Sequence, residues 1–455
     1  MRKVISKNEI PTCEDMLAWM QALAELGPRL AGTPSCRRGE DLIEGWFREA
    51  GLGAVTREPV GLQVWECGKA WLRWGGRTFP AYPIARSAFT PPEGIRAPLV
   101  FIGEGDPESL EGRNLAGKIV VAEVPFAPRP YQLLRQTAHA VHDPGNTLER
   151  EPDTCATWTL PTFTKAYAWS AARGAAGFVG ILRDLRANRH RYHYPFVGPQ
   201  EILPVGGVFI GRDDGAALRD SLHEGPQEGH IHTSGSITPG LSDNILGYLP
   251  GVSDGLILVT CHHDSPFGGL IQDAGGVAEL LAMARYFARK KPQDRPLGMV
   301  FLAAAGNFVG SMGARDFLAR HAHDLVPRIQ LTMTIEHLCT EAEEKDGRLI
   351  PAGKVEPRGV FVTDRPELLD LTTLAIIGND LRRTFVAPVP EAGLKTDGEA
   401  SVYFAAGLPS ITCVSGPEYI LTDDDRPEFT ATEELVPVAK TFIEVIEAFL
   451  RLVGD

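Results

Sequence analysis

The chain has 455 residues, 44% of them hydrophobic and 23% charged, with a net charge of -13 at pH 7. That length allows two or three domains, the composition is that of an ordinary globular protein, and the negative charge argues against a general binder of nucleic acid or anionic membrane. The polar start "MRKVISKNEIPTCEDML" lacks the apolar core of a secretory signal, no apolar run reaches the ~20 residues of a membrane span, and the seven cysteines form no CxxC pair, so a cytoplasmic protein with free thiols is the expectation.

In chain order, 14–26 and 41–51 place apolar residues at helical spacing, with the turn-rich loop "GPRLAGTPS" (27–35) between them. From about residue 67, short apolar runs alternate with glycine turns. These are "APLVFIG" (97–103), "GKIVVAEV" (117–124), "GAAGFVGIL" (174–182) and "LPVGGVFIG" (203–211), which predict a small β-rich domain with one helix over 164–177. Polar, proline-rich 126–160 predicts a long loop in that domain. The main basic cluster, "RDLRANRHRYH" (183–193), reads as a solvated loop.

From about residue 240 the texture becomes strand, helix, strand, helix. "NILGYLPG", "GLILVTCHHD", "LGMVFLAAAG", "IQLTMTIEHL" and "LPSITCVSG" read as strands. "GGVAELLAMARYFARK", "GSMGARDFLARH" and "ELVPVAKTFIEVIEAFLRLV" read as helices. Continuous apolar strands alternating with helices predict an α/β fold with a mostly parallel sheet sandwiched by helices. Sites in such sheets form at the carboxyl ends of strands, where His262, Asn307, Glu336 and Ser415 fall. The adjacent histidines and the aspartate of "CHHDS" suggest a metal site there. On the residues alone, a structural pair at a strand end is the favoured reading of His262 and Asp264.

The order of these segments resembles the dizinc aminopeptidases of peptidase family M28, in the branch with a protease-associated domain inserted into the peptidase domain. The resemblance rests on "LGPRLAGTPSCRRGEDLIEGWFREAGL", on "NLAGKIVVAEV", "ARGAAGFVGI" and "LPVGGVFIGRDDGAALRDSL" of the insert, and on the re-entry strand "SDNILGYLPG". It implies three parts: 1–66 as the start of the peptidase-like domain, 67–237 as the insert, and 238–455 as the remainder.

The family's chemistry uses two zinc ions ~3–4 Å apart and a glutamate base. The resemblance implies that His262 is a zinc ligand oriented by Asp264, with His263 where the family has an aromatic residue. At the bridging aspartate, a gapless match places Gln272, and a one-residue deletion places Asp273, which also suits the N-cap of the next helix. The family's Gly-Glu-Glu, base then ligand, becomes Gly306, Asn307 and Phe308. Its next aspartate becomes Glu336, and strand alternation predicts that His337 faces the other way. The final histidine becomes Leu421, followed by Asp425. The histidine of a substrate-side motif is absent near Glu399 and Ala400.

His262, Asp273 and Glu336 are therefore the metal ligands expected to remain, with Asn307 inactive at the base position. His263, Gln272, Phe308, His337 and Leu421 are expected around the pocket. The family implies zinc, and the lost ligands count against it. The leading reading is an aminopeptidase homologue without the standard dizinc site or peptidase activity. The second is a metallohydrolase with a rebuilt or mononuclear site, drawing on His263, His337, Asp397, Glu399, Asp423–Asp425 or the Cys261 thiol. The third is an interaction module acting through the insert. A peptide or small amino-acyl compound is the ligand the resemblance implies.

Overall fold

The computed structural model describes residues 9–106, 110, 112–129, 131–151, 154–195, 198–390 and 398–454. Two 22-residue strands, Gly53–Trp74 and Glu228–Leu249, pair antiparallel from Gly53 opposite Tyr248 to Trp74 opposite Gly229. The second of them carries one sheet across the whole molecule. Its first residues pair with Ile95–Phe101, and its last with Gly298–Ala304. The expected boundaries at 66/67 and 237/238 fall inside these two strands.

Beyond Glu228–Leu249 the strand order is Gly298–Ala304, Leu256–His262, Ile329–Glu336, Ser410–Ser415, Arg358–Thr363 and Thr384–Val389. The four from Gly298–Ala304 to Ser410–Ser415 run parallel to one another. Every residue of Leu256–His262 and Gly298–Ala304 is buried, as continuous apolar strands covered on both faces require. Alternate residues go to opposite faces. Ile257, Val259 and Cys261 join a core closed by helices Cys13–Ala24, Gly275–Ala288 and Leu435–Gly454. Leu256 and Leu258 pack on the other side with Ala314, Phe317, Val402 and Tyr403.

Helix Pro34–Glu49 begins inside the stretch read from sequence as a loop. Thr33 accepts a hydrogen bond from Cys36 N, and Pro34 occupies the first turn, where its missing N–H costs nothing. The cap lay in "GTPS", but glycine and proline there also satisfy a turn. The described part of 126–160 likewise holds more regular structure than expected. They contain helix Tyr131–Thr137 and strand Ala140–His142, and that strand pairs with Thr384–Val389 at the far edge of the peptidase-like sheet. No helix among the described residues is long and apolar enough to cross a membrane.

The basic cluster at 183–193 is docked on its own chain. Arg186 holds both oxygens of Glu418 at 2.5 and 2.7 Å, Arg189 bonds Asp424 at 2.7 Å, and Arg191 lies 3.3 Å from Asp423. Tyr192 makes a β-bridge to Thr422, and His193 N donates to the Leu421 carbonyl oxygen at 2.8 Å. The expectation of a solvated loop fails because the acidic partners lie more than 200 residues away in sequence. Residues 186–193 thereby hold segment 418–424 in place.

Candidate metal site at the strand ends

Strand Leu256–His262 delivers His262 to the carboxyl edge of the sheet, and the neighbouring strand Ile329–Glu336 delivers Glu336 beside it. Both are 1% exposed. His262 Nδ1 lies 3.1 Å from the Asp264 carbonyl oxygen and 3.4 Å from its carboxylate. The Gln272 amide stands 3.3 Å from Nε2, on the ring's opposite edge. Burial pulls the His262 pKa down. The hydrogen bond to Asp264 and the charges of Asp273, Asp264 and Glu336 outweigh it, and hold the pKa up at about 10. The carboxylates around this position thus favour a positive charge on it, carried here by the protonated ring of His262.

His337 departs from its expected placement. Its φ of +61° takes the chain out of strand alternation, so it does not face away from Glu336. Its ring lies 3.9 Å from the Glu336 carboxylate, and one ligand atom each from His262, Glu336 and His337 falls within 4.8 Å of the other two. His337 Nδ1–H donates to the Ser415 carbonyl oxygen at 2.7 Å. That bond fixes the tautomer with the lone pair on Nε2, a buried atom with no hydrogen-bond partner. Burial, opposed by the Ser415 bond, pushes the His337 pKa down to about 3, so the ring is neutral as a ligand must be. Gly398, with φ of +81°, lets the backbone pass over Glu336, where an added Cβ would lie 2.6 Å from Oε1.

Asp273 stands one residue before Ala274, the N-cap of helix Gly275–Ala288. Its Oδ1 accepts from Gly276 N at 3.0 Å, and burial, with repulsion from Glu336, raises its pKa well above the carboxylate range. The gapless residue, Gln272, is the one whose side chain meets His262. Asp425 accepts from the backbone N–H groups of Ile271 and Gln272, both at 2.9 Å, and so secures this turn.

Where the resemblance implies a base and further ligands, the surroundings are apolar. The Asp264 carboxylate accepts from Asn307 N at 3.0 Å and Phe308 N at 3.3 Å, and the Asn307 side-chain oxygen accepts from Ser311. Phe308 presents an edge-on contact to His262, with ring centroids 5.7 Å apart, and a second to His193 at 5.1 Å. Phe308, Leu421, Ile271 and Ile420 belong to one buried apolar cluster. A doubly charged ion there would have no ligand and would lose its hydration, a cost of tens of kcal/mol before compensation. Two zinc ions do not fit these residues; one ion fits His262, Glu336 and His337.

The remaining sequence candidates are engaged elsewhere. Cys261 sits on the opposite face of its strand in the core, where burial raises its thiol pKa well above the usual value. The Glu399 carboxylate accepts from the Thr260 and Tyr403 hydroxyls. Asp423 and Asp424 pair with the lobe arginines, and Asp397 lies outside the described residues. Sequence reasoning missed Arg29, which is fully buried and donates to the carbonyl oxygens of Leu23, Gly268 and Gly269, fastening the His262–Gln272 loop.

Residues 244–356 match Peptidase family M28. Over 104 residues the chain is 31% identical to Carboxypeptidase Q of Bos taurus, a stretch that spans 22% of this chain and 22% of that relative's length. Among solved structures, the aminopeptidase from Aneurinibacillus sp. strain AM-1 superposes with a TM-score of 0.68 at 19% identity, covering 97% of this chain and 95% of that one. A zinc aminopeptidase from Bacillus subtilis gives 0.69 at 16% identity, over 96% and 95%. The two superpositions show the fold. Residues 244–356, which contain His262, Glu336 and His337, are thus similar to peptidase family M28, and the chain has the fold of the zinc aminopeptidases.

Proposed function

We propose that this chain uses the aminopeptidase scaffold without dizinc peptide hydrolysis, as a binding or structural protein. One observation carries the reading: Phe308 packs edge-on against His262, and Phe308 and Leu421 belong to a single buried apolar cluster. Asparagine at 307 adds to it, since a carboxamide accepts no proton at neutral pH. A base in that position supplies typically ~10²–10⁴-fold of rate, and its loss alone removes most useful turnover. The test is hydrolysis of a panel of aminoacyl-nitroanilides by zinc-loaded protein. No turnover above the zinc-free control is expected; sustained turnover overturns the reading.

The free Nε2 of His337 supports a second reading, in which one divalent ion is held by His262, Glu336 and His337. Such an ion would polarise a carbonyl or phosphoryl oxygen as a Lewis acid. The residues here would orient it: Asp264 through His262, and Ser415 through His337. Equilibrium dialysis with zinc separates this from a metal-free protein. The single-ion reading expects His337→Ala to lose one equivalent, and uptake unchanged by that substitution contradicts it.

A further inference from the structure

Behind the His262 edge lies a second cluster that this reading does not use. Helix Pro34–Glu49 places Cys36 and Glu40 four residues apart on one face. Strand Glu228–Leu249 brings Ser242 to them, and the residue after His262 completes the group. Cys36 is 0% exposed, Glu40 1%, Ser242 1% and His263 2%. Cys36 Sγ lies 3.7 Å from Glu40 Oε1, 3.8 Å from His263 Nδ1 and 3.6 Å from Ser242 Oγ.

Three observations bear on what the cluster can hold. His263 Nε2–H donates to the Asp243 carbonyl oxygen at 3.0 Å, which leaves the Nδ1 lone pair facing the sulfur. A histidine anchored to a backbone carbonyl through its other nitrogen is the usual arrangement of a metal-bound imidazole. Glu40 Oε1 accepts from Ser242 Oγ at 2.5 Å and from Asp243 N at 2.9 Å, whereas Oε2 is buried with no hydrogen-bond partner. Finally, the spacing fits. With Zn–S of ~2.3 Å and Zn–N or Zn–O of ~2.0–2.1 Å, the edge of a tetrahedron from sulfur to nitrogen or oxygen is about 3.5 Å.

We infer that Cys36, Glu40 and His263 form a second metal site, for a structural ion of the zinc class, with the Ser242 hydroxyl beside the fourth position. Binding breaks the Cys36 S–H bond and forms an S–metal bond, the proton passing to solvent. Thiolate and carboxylate then balance the two positive charges of the ion, and neutral His263 contributes a lone pair. The ion would tie helix Pro34–Glu49 to the strand edge next to His262. The site is independent of the first, which has no sulfur.

Cobalt substitution reads the two sites separately, because only a thiolate ligand gives a sulfur-to-cobalt charge-transfer band in the near ultraviolet. Protein produced with Co(II) is expected to show this band, to lose it with one metal equivalent in Cys36→Ser, and to keep it in His337→Ala and in Cys13→Ser. A wild-type protein with no such band, or a Cys36→Ser protein that retains it, overturns the site. Should Cys36→Ser fail to fold, zinc-edge X-ray absorption of the unmutated protein decides. A sulfur scatterer at ~2.3 Å from zinc is expected, at half an atom per zinc if the His262 site is also filled, and a first shell of nitrogen and oxygen alone overturns the inference.

Discussion

The two sides of His262 differ in kind. On one side, Glu336 and His337 offer a carboxylate and a neutral imidazole whose lone pair has no hydrogen-bond partner. On the other, Phe308 and Leu421 offer only carbon. The contrast is one of chemistry along a single strand edge: the polar side favours positive charge, and the apolar side is core. His262 belongs to both, touching Gln272 with its nitrogen and Phe308 with its ring.

If the Phe308 side is core, removing its ring must cost what core residues cost. Phe308→Ala is expected to lose about 3–5 kcal/mol in urea denaturation. A loss below about 1 kcal/mol, typical of surface changes, would mean that Phe308 lines an open pocket.

The same side predicts acid sensitivity. Burial pushes the His193 pKa down from 6.5 to about 3. The unfolded chain therefore binds the extra proton first as pH falls, so this contribution is full above pH 6.5 and is lost between about 6.5 and 3. Between pH 7 and pH 4 the loss is on the order of 3 kcal/mol, and His193→Gln should flatten that slope in unfolding measured across pH. An unchanged slope would take His193 out of the buried cluster.

The clamp between the halves of the chain gives a smaller effect. Arg186→Ala leaves the mostly buried Glu418 without its partner, at about 1–3 kcal/mol, and should raise amide hydrogen exchange in segment 417–425. Exchange that does not change would show that the lobe does not hold that segment. The smallest expected effect is none at all. Asn307→Glu restores a carboxylate at the turn but should bring no aminoacyl-nitroanilide turnover, since Phe308 and Leu421 still exclude the second ion. Turnover on this one change would place the loss in the base alone.

Much of this was legible in the sequence. The apolar run "GLILVTCHHD" set the buried strand and put His262 at its end, because strands covered on both faces have a distinctive composition. That Asn307, Phe308 and Leu421 offer neither a carboxylate nor an imidazole was legible from residue type alone. His337 was not, because its direction depends on one left-handed backbone angle that overrides the alternation of its strand. Gln272 and Asp273 could not be separated in sequence, since each position suited one of two roles; in the structure the Gln272 amide meets His262, and Asp273 accepts from Gly276 N just before the helix. The clamp at 183–193 and the Cys36, Glu40 and His263 group depend on pairings across roughly 200 residues, which no local pattern records.

The central claim is that His262 borders one metal position and not two. Anomalous diffraction at the zinc edge, from crystals of zinc-loaded protein, tests it directly. The account predicts no peak beside Phe308 and at most one, among His262, Glu336 and His337. A pair of peaks ~3.5–4 Å apart at His262 would contradict it.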